Sequence, residues 1–116
     1  AAVAAELHDA AANGASKVTP ICADASDFTN AQIASVLNTS TLVVDASTTL
    51  EYPRAASAVD AFARHISTFV TPSGNASVML VEDTGRAIRL RSLEAQYYRA
   101  VIQSDWGADH LTGNRK

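Results

Sequence analysis

The segment TLVV at 41–44 constrains the fold more than any other stretch of the chain. It is apolar on both faces, the pattern of a central parallel strand covered by helices on each side. It breaks at Asp45 into the small residues Ala46, Ser47, Thr48 and Thr49. A helix is expected to begin near Pro53, because proline suits the first helical position. Its inner face would be Ala56, Val59, Phe62 and Ala63, and it would end around Arg64 and His65. The next apolar run, ISTFVT at 66–71, is the following strand. Strand, helix and strand in this order imply a crossover and a parallel sheet.

The flanking segments extend that pattern. Residues 1–13 read as a helix with Val3, Leu7 and Ala10 or Ala11 on one side, closed by Asn13-Gly14. KVTPICA at 17–23 reads as a short strand, with Pro20 pointing to an edge or an early end. A short helix is expected over 30–37, capped by Thr29 or Asn30, with Ile33, Val36 and Leu37 as its apolar side. After 66–71, PSGN turns the chain, SVMLVED (77–83) returns, and RAIRL (86–90) comes after a Thr-Gly turn. These three segments suggest an antiparallel meander. A last helix spans 92–103, capped by Ser92, with Glu94 in its first turn and Leu93, Tyr97, Val101 and Ile102 on one side. From residue 104 onward periodicity is lost.

Composition removes several function classes. With 47 % hydrophobic and 18 % charged residues the chain is globular, not disordered. A net charge of −3, with basic residues clustered only in RAIRLR, argues against a nucleic-acid binder. That cluster reads as the solvent side of a strand. No apolar run approaches the roughly 20 residues of a membrane span. The N-terminus has no basic segment ahead of a leucine-rich core, so no signal peptide is expected. It begins in mid-pattern without Met, as an internal piece of a longer protein would. The single cysteine, Cys22, allows no internal disulfide, and nothing calls for an oxidising compartment; a cytoplasmic location is expected.

Ligands of open α/β sheets sit beyond the carboxyl ends of the strands. Asp45, Ser47 and Thr48 stand there. The carboxylate could hold Mg²⁺ or a ribose hydroxyl, and the hydroxyls could reach phosphate. The competing use is local: Asp45 closes a turn on its own backbone and Ser47 and Thr48 begin the loop. Arg54, at the next helix start, is either an anion contact or a surface residue paired with Glu51. The five glycines, at 14, 74, 85, 107 and 113, form no phosphate-binding loop. Cys22 could be a nucleophile at a strand end, though such a cysteine is more often buried. His8, His65 and His110 lack metal-ligand spacing. Of Tyr97 and Tyr98, one would pack inward and one lie on a rim.

The run 41–111 resembles the ThiF/HesA/MoeB family of adenylating enzymes, which are related to ubiquitin-activating enzymes. More narrowly, it is similar to the bacterial branch fused to, or encoded with, ubiquitin-conjugating-like domains. LVVDAS followed by PRAAS resembles the family's strand-Asp-loop-helix segment. ISTFVTPSGNASVMLVED resembles its next pair of strands, and GRAIRLRSLEAQYYRAVIQSDWGADHL the strand and helix after them. SLEAQYYRAV is the most specific piece.

The resemblance implies a Rossmann-like three-layer α/β fold, a parallel sheet extended by an antiparallel meander. Residues 1–116 would be one partial domain, the C-terminal part of an adenylation domain whose glycine-loop half lies upstream. The implied parent is an ATP- and Mg²⁺-dependent adenylyltransferase that activates the C-terminal carboxylate of a ubiquitin-like or sulfur-carrier-like protein. Asp45, Ser47 and Thr48 would line the nucleotide-side loop, with Asp45 as the Mg²⁺ ligand and Arg54 as the anion contact. The family usually carries Asp-x-Thr-Asp-Asn here, and Thr48 stands in place of its second acid. This chain alone would be inactive, and an uncovered sheet edge would favour a homodimer. Two other readings are a nicotinamide-dependent oxidoreductase domain, with VVDAST beside the cofactor, and a degenerate, non-catalytic interaction module.

Overall fold

The structure, a computed structural model, describes residues 6, 7 and 17–112. Glu6 and Leu7 are helical, and the rest of the expected 1–13 helix, with His8, lies outside the described residues. Residues 17–112 form a mixed α/β arrangement. Helix α1 is Ala31–Thr39, β1 Val43–Asp45 and α2 Glu51–Ala56. They lead to β2 His65–Val70, β3 Ser77–Val81, α3 Leu90–Gln103 and α4 Gly107–Thr112.

The sheet has three strands in the order β1-β2-β3. β1 runs parallel to β2 with Val43 opposite His65 and Asp45 opposite Ser67. β2 and β3 form an antiparallel hairpin with Thr68 opposite Met79. The expectation of a parallel strand at 41–44 is met in direction but not in place. β2 is the middle strand, and β1 is an edge among the described residues. Val44 is accordingly 60 % exposed although its sequence looks buried on both sides.

Alternation sorts the side chains. Val43, His65, Ser67 and Leu80 face the helices. On the opposite face Val44, Val70 and Met79 are exposed, at 60, 60 and 65 %. Two layers are thus described rather than the expected three: the sheet, and helices on one face of it. The core is Ile33 and Leu37 of α1, Tyr52 and Ala56 of α2, and Phe62, with Ile21, Phe28, Val43 and Val59 against it.

Local chemistry explains the boundaries. Asn30 caps α1 by accepting from the Gln32 and Ile33 N–H groups. Ile33 and Leu37 are buried as expected, while Val36 is exposed. KVTPICA forms no strand: Pro20 lacks an N–H, the segment is largely exposed, and Cys22 is exposed rather than buried.

Helix α2 stops at Ala56, well short of the expected end at 64–65. The Ser57 hydroxyl bonds back to the Pro53 carbonyl, and the chain leaves the helix through a turn at Ala58. The carbonyls this frees are taken by arginines far along the chain. Arg86 donates to the Ala56, Val59 and Phe62 carbonyls at 3.2, 2.9 and 3.0 Å. Arg89 donates to the Ser57 carbonyl at 2.8 Å.

RAIRL is not a strand either, so the meander reduces to the β2–β3 hairpin. The Asp83 carboxylate collects the N–H groups of Ala87 and Ile88, and Arg86 adopts a left-handed φ of 54°. Far from facing solvent, Arg86 is buried. Helix α3 begins at Leu90, not Ser92. Its first N–H groups, at Leu90 and Arg91, are capped by Glu82 and Ser57. Leu90, Glu94 and Val101 are buried, but Ile102 is 82 % exposed. α4 occupies a stretch without sequence periodicity. A Cβ on Gly107 would lie 1.8 Å from the Val101 carbonyl oxygen, so only glycine permits the close turn from α3 into α4.

Candidate functional site

Asp45 sits at the carboxyl end of β1 and is 6 % exposed. Its Oδ1 accepts from the Ser47 N–H at 3.0 Å and the Ser47 hydroxyl at 2.6 Å. Its Oδ2 accepts from the Ser67 hydroxyl of β2 at 2.9 Å. This is an Asx-type turn, the local use of the residue, reinforced across the parallel pair. Ser47 also shares a hydrogen bond with the Thr49 hydroxyl at 3.1 Å. Thr48 occupies the left-handed region at φ 60°, uncommon for a β-branched residue, and its hydroxyl turns to the Ser47 carbonyl.

Asp45, Ser47 and Thr48 therefore share one turn. Arg54 does not join them. It reaches instead to α3 and makes a two-point ion pair with Glu94, Nε to Oε2 at 3.1 Å and Nη2 to Oε1. That bond, more than the nearby charge, raises the Arg54 pKa further. Glu51, the nearer candidate partner, is not used.

The hollow at the Asp45 turn is open, about 530 Å³, and lined in part by Asp24, Ser26, Asp45, Ser47, Glu51 and Tyr52. Three of these are carboxylates and none is cationic, an unfavourable setting for a phosphate without a counter-ion. Among the described residues no group of three or more His, Cys, Asp or Glu could hold a metal ion.

Behind the turn lies a polar hub whose members no sequence motif connects. His65, expected at a helix end, is fully buried on β2. Its Nδ1 faces the Ala63 carbonyl at 2.7 Å and its Nε2 faces the Tyr52 hydroxyl at 2.8 Å. A carbonyl can only accept, so Nδ1 carries the proton and Nε2 of the neutral ring accepts from tyrosine. Burial lowers the His65 pKa, in agreement with that tautomer. Burial, then the Asp45 charge, pushes the Tyr52 hydroxyl up to about 12.

Glu82 completes the hub. Its Oε1 accepts from the His65 backbone N–H at 2.7 Å and from Arg86 Nε at 2.9 Å, and its Oε2 from the Leu90 N–H at 3.1 Å. Glu82 and Arg86 stand four residues apart, a spacing that marks an ion pair on a helix but not across the two strands expected here. A second cluster, at the α3–α4 junction, joins the Tyr97 hydroxyl to His110 Nε2 at 2.7 Å, with Trp106 edge-on to the same imidazole.

No family model, no curated protein and no solved structure matches this chain. Among the described residues no helix is long and apolar enough to cross a membrane.

Proposed function

We propose that the chain is part of a Rossmann-like, ThiF-type adenylation domain. Its parent would join AMP to the C-terminal carboxylate of a ubiquitin-like or sulfur-carrier-like protein. One observation carries the reading: β1 and β2 are parallel, joined through α2, and Asp45 and Ser67 meet at corresponding positions of the two strands. In open α/β sheets that is the end where ligands bind. The step itself is attack of a carboxylate oxygen on the α-phosphorus of ATP, with pyrophosphate leaving. A cytoplasmic location, and pairing with a second copy or a ubiquitin-conjugating-like domain, belong to the same reading.

The residues present do not by themselves fit ATP and Mg²⁺. Asp45 brings one carboxylate whose oxygens already accept three hydrogen bonds, and Thr48 brings a hydroxyl turned to its own backbone. Arg54 is held by Glu94. The phosphate- and metal-holding groups would come from outside the described residues. The same facts favour a second reading, a degenerate module that keeps the fold and a protein-binding surface without catalysis.

ATP–pyrophosphate exchange by the full-length gene product, with and without its carrier protein, separates the two. Carrier-dependent exchange by the unaltered protein supports the first. Carrier binding without exchange supports the second. The 116-residue chain alone is expected to show no micromolar binding of Mg-ATP in calorimetry. An affinity near 1 μM, about −8 kcal/mol, would put the phosphate-holding groups within this chain and overturn that placement.

A further inference from the structure

Two hollows on the α3 side of the sheet share Glu94 and Tyr98 as lining residues. We propose that together they bind a small apolar carboxylate. Its hydrocarbon group would fill the first hollow and its carboxylate would lie against Arg54 and Arg91 in the second. The first hollow has a volume of about 170 Å³, and Pro53, Phe69, Leu80 and Leu90 supply apolar walls. Thr48, Thr49, Ser67 and Glu94 add polar groups at its border, and a wholly apolar cavity of about 150 Å³ holds a benzene-sized molecule. One branched aliphatic or phenyl group therefore fits.

The charge balance of the second hollow selects the head group. It is lined by Arg54, Arg91, Glu94, Ala95 and Tyr98, two cations against one anion. Both Glu94 oxygens already accept from Nε and Nη2 of Arg54. Among the described residues Arg54 Nη1, the Arg91 guanidinium and the Tyr98 hydroxyl have no hydrogen-bond partner. Arg54 already neutralises Glu94, so the uncompensated charge in the hollow is the Arg91 cation, which repels a cationic ligand and offers a carboxylate forked donors that match its geometry. A bare phosphate would match the donors but leave the apolar hollow unfilled. An apolar lining with a few placed polar groups is the usual form of a small-ligand site. The first hollow borders the Asp45 turn through Thr48, Thr49 and Ser67, but the proposal needs neither ATP nor a metal and does not rest on the adenylation reading.

The chemistry could come from a free acid or from a polypeptide ending in an apolar residue, and NMR titration of the chain distinguishes them. The probes are N-acetyl-leucine, N-acetyl-leucinamide and a pentapeptide ending in leucine. N-acetyl-leucine is expected to shift the amides of Phe69, Leu80 and Tyr98 with a Kd of about 1 mM. The amide, which lacks the charge, should bind at least roughly tenfold more weakly. Arg91→Glu, at an exposed position, should remove that preference while leaving the melting curve of the protein unchanged, and Arg91→Lys should restore part of it. A pentapeptide roughly tenfold tighter than N-acetyl-leucine identifies a chain terminus as the natural ligand; equal affinity identifies a free acid. Equal binding of acid and amide, undiminished acid binding by Arg91→Glu, or no shifts at about 20 mM overturns the proposal.

Discussion

Replacing Arg86 with methionine keeps most of the side-chain stem and removes only its charge and donors. The left-handed backbone at φ 54° is retained in both forms, so its strain cancels from the comparison. The variant leaves Glu82, 1 % exposed, as a buried carboxylate without its ion-pair partner. Breaking one side of a buried pair costs about 3–5 kcal/mol. The carbonyls of Phe62, which is buried, and Val59, which is half-buried, lose the Arg86 donor as well, while that of Ala56 keeps the Val59 N–H; a buried unsatisfied acceptor costs about 1–3 kcal/mol. Relaxation and entering water offset part of this, which leaves a loss of at least about 4 kcal/mol against a domain margin of about 5–15 kcal/mol. Urea unfolding followed by circular dichroism reads it as a lower midpoint at unchanged slope. In a cycle with Glu82→Gln, the double variant should cost less than the sum of the singles by about 1–3 kcal/mol. A loss under about 1 kcal/mol for Arg86→Met, or strict additivity, would refute the hub as the origin of the stability.

His65 supplies a pH test. Its folded pKa is lowered by burial, so the neutral ring stabilises the fold above the unfolded pKa near 6.5. That stability is lost as pH falls from about 6.5 through the lowered folded value, and His65→Asn should flatten this part of a stability–pH curve. Gly107→Ala cannot be accommodated against the Val101 carbonyl without moving α4, and a loss of about 2 kcal/mol or more is expected in thermal melts. Asp45→Ala removes three hydrogen bonds to a charged acceptor and should cost about 2–3 kcal/mol in the same assay. In amide exchange the middle residues of β2, bonded on both sides, should outlast Val44 on the edge strand.

Local signals in the sequence hold where a single residue type decides the backbone. Asn30 as cap, Gly74 at φ 72° in the hairpin turn and the runs at 66–70 and 77–81 are all found close to their expected places. The failures share a cause, which is that distant side chains decide the outcome. The α2 pattern through Ala56, Val59 and Phe62 is helical in spacing, and Ala56 and Phe62 do reach the core. The backbone between them nevertheless leaves the helix because Arg86 and Arg89 accommodate its carbonyls. RAIRL has strand-like alternation, yet Asp83 and Glu82 claim the N–H groups that a strand would have offered to a neighbour. At the candidate site, the sequence places Asp45, Ser47 and Thr48 on one turn at a strand end. It carries no sign that Arg54 crosses to Glu94, a partner 40 residues away.

The arginine-held loop has a consequence for the order in which the protein can mature. Residues 57–62 depend on donors 24 to 32 positions further on. A chain leaving the ribosome at about 5–20 residues per second exposes Ala56 to Phe62 for a few seconds before Arg86 and Arg89 are made. In that interval α1, β1 and α2 can cluster their apolar side chains, but the stretch joining α2 to β2 has no fixed course. Closure waits until the hairpin has formed and the segment after it swings back. The native course of residues 57–62 is thereby tied to the 82–90 turn, which is made after the parallel pair it holds in place.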